Sequence, residues 1–482
     1  MSEDAMRKKN ARKVKMPTSF AILGILLIVM AILTVVVSAA GGEGVEGASL
    51  ADVVMSPILG FTDAVPVCLF VMILGGFLGV VTKTGALDAG IVALVRSLKG
   101  NELLIIPILM FIFSLGGTAY GMGEETVPFY FLLAATMLAA GYDVVVGAAI
   151  VLLGAGCGTL GSTINPFAVG AAVDSLSGTG IEVNQAIIIG EGAVLWLVSL
   201  TIAIVCVMRY AKKVKRDKGS TFLSLQEQQA VLEEFGKPEN AADAGPNATL
   251  SGRQKGVLIL FAVSFIIMIL GVIPWGSFGI GGFEWSAFLT GLPFGEWYFG
   301  EATSVFILTA LACGVVGALS QREFVDAFVQ GVGDIMSVVL IIAFARAITV
   351  LMGETGFDQF ILVNAARGLE GVSAVVFAPL SYLLYLVMSF LVPSSSGLAT
   401  LSVPIMGPLA FQLGFSVETM IMIFTAGNGL VNLFTPTCGF IMGGLAISKI
   451  EYGTWLKFAA KPIALIAVFS IVFLTVMMLV LQ

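Results

Sequence analysis

Long apolar stretches alternate with short polar segments along almost the whole chain. The stretches at residues 20–40, 186–208, 257–274 and 463–481 approach or exceed the ~20 residues that an α-helix needs to cross a bilayer. Other apolar stretches are shorter, and clusters of Gly, Ser, Thr, Asn and Pro interrupt them. The pattern predicts an all-α polytopic membrane protein in which several membrane segments are discontinuous.

The pattern of polar positions occurs twice. Asp63 recurs as Asp334, and three further matches keep the same displacement along the chain: Thr84-Gly85 and Thr355-Gly356, Arg96 and Arg367, and Gly100 and Gly371. Asn165-Pro166 corresponds to Thr435-Pro436 at almost the same displacement. One additional span, at 256–274, lies between the copies and would invert the second copy relative to the first. Inverted-topology repeats are typical of secondary transporters, which bind substrate between the copies near the bilayer midplane.

Each copy is predicted to contain the same elements. The first half, residues 17–209, has spans at 17–40 and 61–82, an amphipathic arm at 86–98, a hairpin over 102–140, a broken helix over 143–176 interrupted at 156–166, and a span at 186–208. The second half, residues 256–482, begins with the additional span. It continues with spans at 301–319 and 334–352, an arm at 356–370, a hairpin over 374–413, a broken helix over 419–446 interrupted at 428–436, and a span at 456–481. Because the hairpin arms are short for a span, both hairpins are predicted to be re-entrant.

Lysine and arginine are concentrated in two places. The basic tail at residues 1–16 and the segment after Met208 are rich in them, whereas residues 41–56, 173–185 and 276–300 contain none. By the positive-inside rule, the N-terminus and the linker at 210–255 are predicted to be cytoplasmic, in a multi-pass protein of the cell (inner, cytoplasmic) membrane. The linker has little periodicity and is expected to be flexible, with a short helix near residues 223–235.

The composition excludes several function classes. Only 11% of the residues are charged and the mean hydropathy is +1.03, which is incompatible with a soluble protein of this length. The chain has no histidine, which excludes His-ligated haem, HExxH zinc sites and Ser-His triads, and its five cysteines have no metal-ligand spacing. We expect no metal site, no cofactor and no nucleic-acid partner. An intramembrane enzyme would need a nucleophile with a base partner, and a channel would need a ring of charge; neither pattern is evident.

Glu124 and Glu125 lie at the predicted tip of the first hairpin. Two adjacent carboxylates inside a membrane are strongly unfavourable unless they are paired or hydrated. We expect at least one of them to meet a cation, which is a basic group of the substrate, Na⁺ or a proton. The alternative is that the tip reaches the cytoplasmic surface and that water solvates both side chains.

The other candidate substrate-binding residues lie at the second hairpin tip and at the two interruptions. Unwound backbone within hydrocarbon needs protein or a water-filled cavity around it, and it offers N–H groups to anions and carbonyl groups to cations. The alternative at each interruption is a proline kink. The candidates are Thr126 beside the first tip, Ser394, Ser395, Ser396 and Gly397 at the second tip, Ser162, Thr163 and Asn165 in the first interruption, and Asn428, Asn432, Thr435 and Thr437 in the second.

Four further charged residues fall in predicted spans or at their starts. Arg346 is expected to form a structural ion pair with a membrane carboxylate such as Glu191 or Asp334, or else to bind a substrate carboxylate. Glu191 is also a candidate for ion coupling, together with Glu124 and Glu125. Asp63 and Asp334 are interpreted as structural, because each stands where a span is predicted to begin and helix N-termini favour acidic residues.

Three motifs resemble a known family. They are Gly121-Met-Gly-Glu-Glu-Thr-Val-Pro-Phe129, Val392-Pro-Ser-Ser-Ser-Gly-Leu-Ala399 and Asn432-Leu-Phe-Thr-Pro-Thr437, and they resemble the YfcC branch of the DcuC family, which is placed in the ion transporter superfamily. The resemblance covers the chain from about residue 17. It implies a homodimer with a fixed scaffold and a mobile transport domain that contains both hairpins and both broken helices and moves like an elevator. The binding site would then lie between the hairpin tips and the helix breaks.

The family includes carriers of C4-dicarboxylates and, in the YfcC-like branch, exchangers of basic amino acids. Two glutamates at one tip would repel a dicarboxylate unless a cation intervened. An amino acid of the arginine or ornithine type fits better, with its carboxylate at the Ser tip and its cationic end at the Glu pair. The alternative is a Na⁺- or H⁺-coupled carrier of C4-dicarboxylates (succinate or fumarate) or of another small carboxylate.

Overall fold

The computed structural model describes residues 19–87, 89, 90, 93, 102–177, 179–235, 250–273, 275–278 and 280–481. Over these residues the regular elements are helices, and none is a strand. Ten of the helices in these ranges are long and apolar enough to cross a membrane. Three predicted features lie outside the described residues. They are the basic tail at 1–16, most of the arm at 86–98, and the predicted repeat positions Arg96 and Gly100.

In the first half of the chain the helices are α1 (Ser19–Ala39), α2 (Leu50–Asp63), α3 (Val65–Lys83), α4 (Ile105–Tyr120), α5 (Val127–Ala139), α6 (Val144–Gly161), α7 (Ala171–Asp174, directly after a π-helical turn Pro166–Gly170), α8 (Gln185–Arg216) and α9 (Leu225–Phe235). In the second half they are α10 (Gly252–Val272), α11 (Phe299–Val316), α12 (Gln321–Thr355), α13 (Phe357–Gly368), α14 (Ala374–Leu391), α15 (Ser395–Gln412), α16 (Val417–Val431), α17 (Gly439–Ile447) and α18 (Tyr452–Val480).

The predicted spans at 61–82 and 334–352 are parts of longer helical segments. Capping boxes start α2 at Ser49 and α12 at Ser320, because each serine accepts a hydrogen bond from the backbone of the acidic residue three positions later. Helix α2 ends at Asp63, whereas Asp334 is an exposed residue in the interior of α12. The prediction that both aspartates stand near helix N-termini was wrong, because amphipathic helix precedes each apolar run.

The helices pack in two groups. In the first packing group, α12 packs on α1, α2 and α3, while α11 packs on α3 and α10. In the second packing group, α4, α5, α8 and α16 pack on α6, and α14, α15 and α18 pack on α16. Backbones approach closely at glycines, as small-residue packing in membranes requires: a Cβ on Gly331 would lie 2.3 Å from the Gly75 carbonyl oxygen. Helix α17 lies between the groups, since it contacts α12 as well as α5.

Both predicted interruptions are present, but their bounds differ from those expected. Helix α6 runs to Gly161, so only residues 162–165 are non-helical, and the predicted break at 156–166 was too long. The glycines from 156 to 161 allow close packing instead of unwinding, since a Cβ on Gly158 would lie 2.1 Å from the Ser114 carbonyl oxygen. The second interruption covers 432–438, with Asn428 still inside α16, so it begins and ends later than predicted.

The first part of the linker is packed against the protein, which corrects the expectation of flexibility for these residues. Helix α8 continues to Arg216, and α9 forms close to the expected place. Glu227 on α9 is 4% exposed and accepts hydrogen bonds from the backbone N–H of Glu451 (2.8 Å) and from Thr454 Oγ1 (3.1 Å), at the start of α18. Residues 236–249 lie outside the described residues.

Candidate functional site

A cavity of about 160 Å³ lies where the two hairpin tips, the two helix interruptions and helix α12 meet. Its polar or charged lining comes from both packing groups. The residues concerned are Tyr120, Glu124, Glu125 and Thr159 from the first half, and Tyr298, Arg346, Ser394, Ser395, Ser396, Asn432 and Thr437 from the second. The structure thus brings together segments from both halves of the chain that are far apart in sequence.

The first tip is a tight turn between α4 and α5. Gly121 has a φ of +75°, and a Cβ there would lie 2.7 Å from Asn165 Nδ2 of the first interruption, so the turn requires glycine. The backbone N–H of Gly123 donates to Glu125 Oε2 (3.0 Å), and Thr126 Oγ1 donates to the Gly123 carbonyl oxygen (2.6 Å). These bonds hold the turn in a shape that directs its acidic residues toward the cavity.

Glu124 and Glu125 both line the cavity and are only partly exposed. The ion pairs found among the described residues include neither of them. Glu125 accepts the one bond from Gly123, which leaves most of its acceptor capacity free. Two neighbouring carboxyl groups with unused acceptor capacity in a small cavity have the chemistry that suits a cation.

The second tip is the start of helix α15. Ser394 caps this helix, because its Oγ accepts a hydrogen bond from the Gly397 N–H (3.2 Å). Ser395 Oγ donates to Asn428 Oδ1 (2.7 Å), and Asn432 Nδ2 donates to the same oxygen (3.2 Å). The hydroxyls and free N–H groups at the N-terminus of this 18-residue helix suit an anionic group such as a carboxylate.

Two amide atoms at or beside the second interruption have no hydrogen-bond partner among the described residues. Asn428 Nδ2 and Asn432 Oδ1 are buried and make no hydrogen bond within the described residues. Buried polar atoms are normally satisfied, so an unpaired donor and an unpaired acceptor on two neighbouring side chains are unusual. Asn432 lines the cavity, so the interruption brings an amide side chain with an unused acceptor to this site.

Several predicted site residues support the cavity from behind instead of lining it. Ser162 has a φ of +37° and donates to the Thr159 carbonyl oxygen, and Asn165 Nδ2 donates to Ser162 Oγ (3.1 Å). The hydroxyls of Thr163 and Thr118 lie 3.1 Å apart, which ties the first interruption to α4. The hydroxyls of Thr435 and Thr437 lie 2.6 Å apart in the second interruption. Thr126, Ser162, Thr163, Asn165, Gly397, Asn428 and Thr435 are not among the lining residues.

Glu191 lies on α8, away from the cavity lining. It is 2% exposed, and its Oε1 accepts a hydrogen bond from Thr419 Oγ1 (2.7 Å) at the start of α16. Its second oxygen, Oε2, has no partner among the described residues. Glu191 is therefore separate from the Glu124–Glu125 pair and belongs to the packing of α8 on α16.

Arg346 pairs with Asp63, and not with Glu191 or Asp334 as predicted. Its Nε lies 2.9 Å from Asp63 Oδ2, because α12 crosses α2 so closely that a Cβ on Gly60 would lie 2.5 Å from the Ala347 nitrogen. Apolar periodicity does not show where two helices cross, so the partner could not be read from sequence. At the displacement that relates Asp63 to Asp334, the residue that precedes Arg346 is Gly75.

Aromatic rings complete the lining, and the sequence reasoning missed them. Tyr120 has a buried hydroxyl without a partner in the described residues. The rings of Phe167 and Tyr298 lie 5.5 Å apart between centroids, and Phe299 and Phe440 also line the cavity. Phe167 and Phe440 directly follow the two interruptions, and Tyr120 precedes the first tip, so their positions were a usable signal. Nothing in the sequence marked Tyr298.

The chain is similar in sequence to one protein family and to two bacterial proteins. The sequence model of a family described as "DcuC: C4-dicarboxylate anaerobic carrier" matches residues 42–479. A Haemophilus influenzae protein without an assigned function is 30% identical over 427 residues, covering 88% of this chain and 78% of that protein. The Escherichia coli protein named "Putative basic amino acid antiporter YfcC" is 28% identical over 426 residues, covering 85% and 77%.

Two solved structures of transporters are more distantly similar. The Alcanivorax borkumensis YdaH transporter has 16% identity and a TM-score of 0.43, with 94% of this chain and 98% of that chain covered. Neisseria gonorrhoeae MtrF, described as an antimetabolite efflux pump, has 17% identity and a TM-score of 0.43, with 99% and 98% covered. Similarity at this level carries no inference about substrate or mechanism.

Proposed function

Since this chain belongs to the DcuC family and is a multi-pass membrane transporter of the DcuC/YfcC type, we propose that it exchanges basic amino acids of the arginine and ornithine type across the cytoplasmic membrane. The proposal makes the cavity between the two tips the substrate site. The name of the E. coli relative supports the substrate class, whereas the name of the family supports the alternative, a C4-dicarboxylate.

The observation that carries the proposal is the charge of the cavity. Among the described residues, Glu124 and Glu125 line it without an ion-pair partner, and Arg346, the one basic residue in that lining, is already paired with Asp63. Aromatic rings beside the carboxylates add favourable faces for a guanidinium or ammonium group. An anionic ligand with two carboxylates would meet repulsion in this part of the cavity.

The proposed roles follow from the placement of each group. Glu124 and Glu125 hold the cationic side chain of the substrate, and Ser394, Ser395 and Ser396 at the start of α15 hold its carboxylate. Asn432 and Thr437 supply amide and hydroxyl groups from the second interruption, and Asn428, near the end of α16, holds Ser395 and Asn432 in position through its Oδ1. The remaining candidates, Thr126, Ser162, Thr163, Asn165, Gly397 and Thr435, fix the tips and interruptions in position. Glu191 stays a candidate for coupling to Na⁺ or H⁺.

We further propose the alternating-access mechanism that the family implies. The two copies have opposite orientations, the two hairpins are re-entrant, and the N-terminus is cytoplasmic. The first packing group acts as the scaffold of a homodimer, and the second packing group carries the substrate across the membrane like an elevator. The division of helix contacts into two groups, with the cavity between them, supports this assignment.

Proteoliposomes test the proposal. Labelled arginine should enter only when the lumen contains arginine or ornithine, and Glu124→Gln or Glu125→Gln should abolish this exchange. Glu43→Gln is the matched control, because it removes the same charge from an exposed loop residue. Exchange at wild-type rate in both tip variants would refute the assignment of the glutamates. Uptake of succinate or fumarate driven by an ion gradient, without competition by arginine, would establish the alternative.

A further inference from the structure

Arg346 and the acidic tip face the same cavity from different packing groups. Arg346 is on α12, and its partner Asp63 ends α2, so both belong to the first packing group. Glu124 and Glu125 lie on the turn before α5, which packs on α6 in the second packing group. A relative movement of the two groups therefore changes the separation between Arg346 and the two glutamates but leaves the Arg346–Asp63 pair intact.

We infer that Arg346 opposes movement of the second packing group while the cavity is empty. Exchange is then obligatory, because the carrier crosses the membrane readily only with a substrate bound. This inference rests on the proposed function, because it requires a cationic substrate between the two groups. Arg346 uses Nε toward Asp63, and its side chain is 29% exposed. A guanidinium group has five N–H donors, so most of its capacity remains available to the carboxylates across the cavity.

The effect on the empty carrier is electrostatic. With no substrate bound, the fixed positive charge of Arg346 attracts the carboxyl groups of Glu124 and Glu125 across the cavity, and this attraction opposes movement of the second packing group. A bound basic side chain supplies the counter-charge to the glutamates from inside the moving group. The loaded carrier then moves without breaking the attraction to Arg346, whereas the empty carrier has to break it.

The first copy has no corresponding charge. Gly75 occupies the position that corresponds to Arg346, and Asp334, which corresponds to Asp63, is exposed on α12. The attraction between Arg346 and the two glutamates therefore acts in the arrangement seen here. The first copy provides no equivalent positive charge that would act in the opposite arrangement. One fixed charge is sufficient for obligatory exchange, because blocking one empty transition interrupts the cycle.

The test compares two fluxes in proteoliposomes loaded with labelled arginine. Efflux into medium that contains arginine measures exchange, and efflux into arginine-free medium measures return of the empty carrier. We expect the wild-type protein to exchange rapidly with little net efflux. Arg346→Gln should raise net efflux relative to exchange about tenfold, which corresponds to ~1.4 kcal/mol of lost attraction. Arg346→Lys, which keeps the charge, should restore the low net efflux.

Two further variants sharpen the result. Arg322→Gln removes a positive charge from the same helix at an exposed position, where Arg322 pairs with Asp326 at 3.7 Å, and it should leave both fluxes unchanged. Asp63→Asn frees the whole guanidinium group of Arg346 and should lower net efflux below the wild-type value. A merely structural role of the Arg346–Asp63 pair would instead make both variants of this pair lose both fluxes together.

The possible results separate the inference from the proposed function. If wild-type vesicles transport no basic amino acid, the proposed function fails. If wild-type exchange occurs but Arg346→Gln keeps the wild-type ratio of exchange to net efflux, only the inference is overturned. If Arg346→Gln loses both fluxes, Asp63→Asn decides: reduced net efflux with continued exchange supports the inference, and unchanged or increased net efflux overturns it.

Discussion

Replacing one carboxylate of the first tip should weaken the preference for a charged over a neutral side chain. Glu124→Gln and Glu125→Gln conserve the shape of each residue but remove its charge. Arginine and citrulline form a matched ligand pair, because citrulline has the same chain length with a neutral ureido group in place of the guanidinium. In the wild-type cavity, only the cationic ligand gains from the two glutamates, neither of which has an ion-pair partner among the described residues.

The size of the effect follows from the free acceptors at the tip. A hydrogen bond to a charged group contributes about 1.5–3 kcal/mol, and every 1.4 kcal/mol is a factor of ten in affinity. Since Glu125 already accepts one bond from the Gly123 N–H, it has at least one oxygen left for a ligand. Each single variant should therefore reduce the arginine-over-citrulline preference by roughly 10- to 100-fold.

Competition against labelled arginine, measured by scintillation proximity with purified protein, gives both affinities. Citrulline binding should change little in either variant, and Glu43→Gln should retain the full preference. An arginine-over-citrulline preference that stays at the wild-type value in both tip variants would refute the reasoning. A wild-type protein that binds the two ligands equally would refute it as well.

Three other tests concern the first tip, the cavity lining and the packed linker. Gly121→Ala and Gly141→Ala should each destabilise the protein by ~1–2 kcal/mol in thermal unfolding, because both glycines have left-handed backbone conformations. Only Gly121→Ala should also impair transport, since a Cβ at Gly141 meets nothing within 4 Å. Tyr120→Phe should lower arginine affinity at an unchanged unfolding temperature, whereas Tyr130→Phe, which removes another buried hydroxyl without a partner in the described residues, should change neither quantity. Glu227→Ala should lower the free energy of unfolding by about 1–3 kcal/mol, because it leaves donors at the start of α18 unpaired. A free energy of unfolding equal to that of an exposed-site control would contradict the packing of α9 against the start of α18.

The sequence predicted the elements of the site better than their mutual contacts. Glycine, serine and proline clusters located both tips and both interruptions, because these residues either permit or force a departure from helix. The glycines at 156–161 were misinterpreted as part of a break, since glycine serves close helix packing as well as unwinding. Only the structure shows which use applies.

The sequence does not predict which side chains from distant segments contact each other. Arg346 needed a carboxylate partner, but three were available, and the crossing of α12 over α2 selects Asp63. The aromatic lining has the same origin, because Tyr298 precedes α11 and reaches the cavity only through the packing of the first group. Periodicity defines the face of a helix, whereas the choice of neighbour depends on tertiary packing.

The most direct test of the central claim is a cryo-EM map of the protein with bound arginine. We predict density for the guanidinium group beside Glu124 and Glu125 and density for the carboxylate at Ser394–Ser396, where α15 begins. Arginine density outside this cavity, or a bound succinate whose carboxylate contacts Arg346 while the glutamates remain without a ligand, would contradict the account.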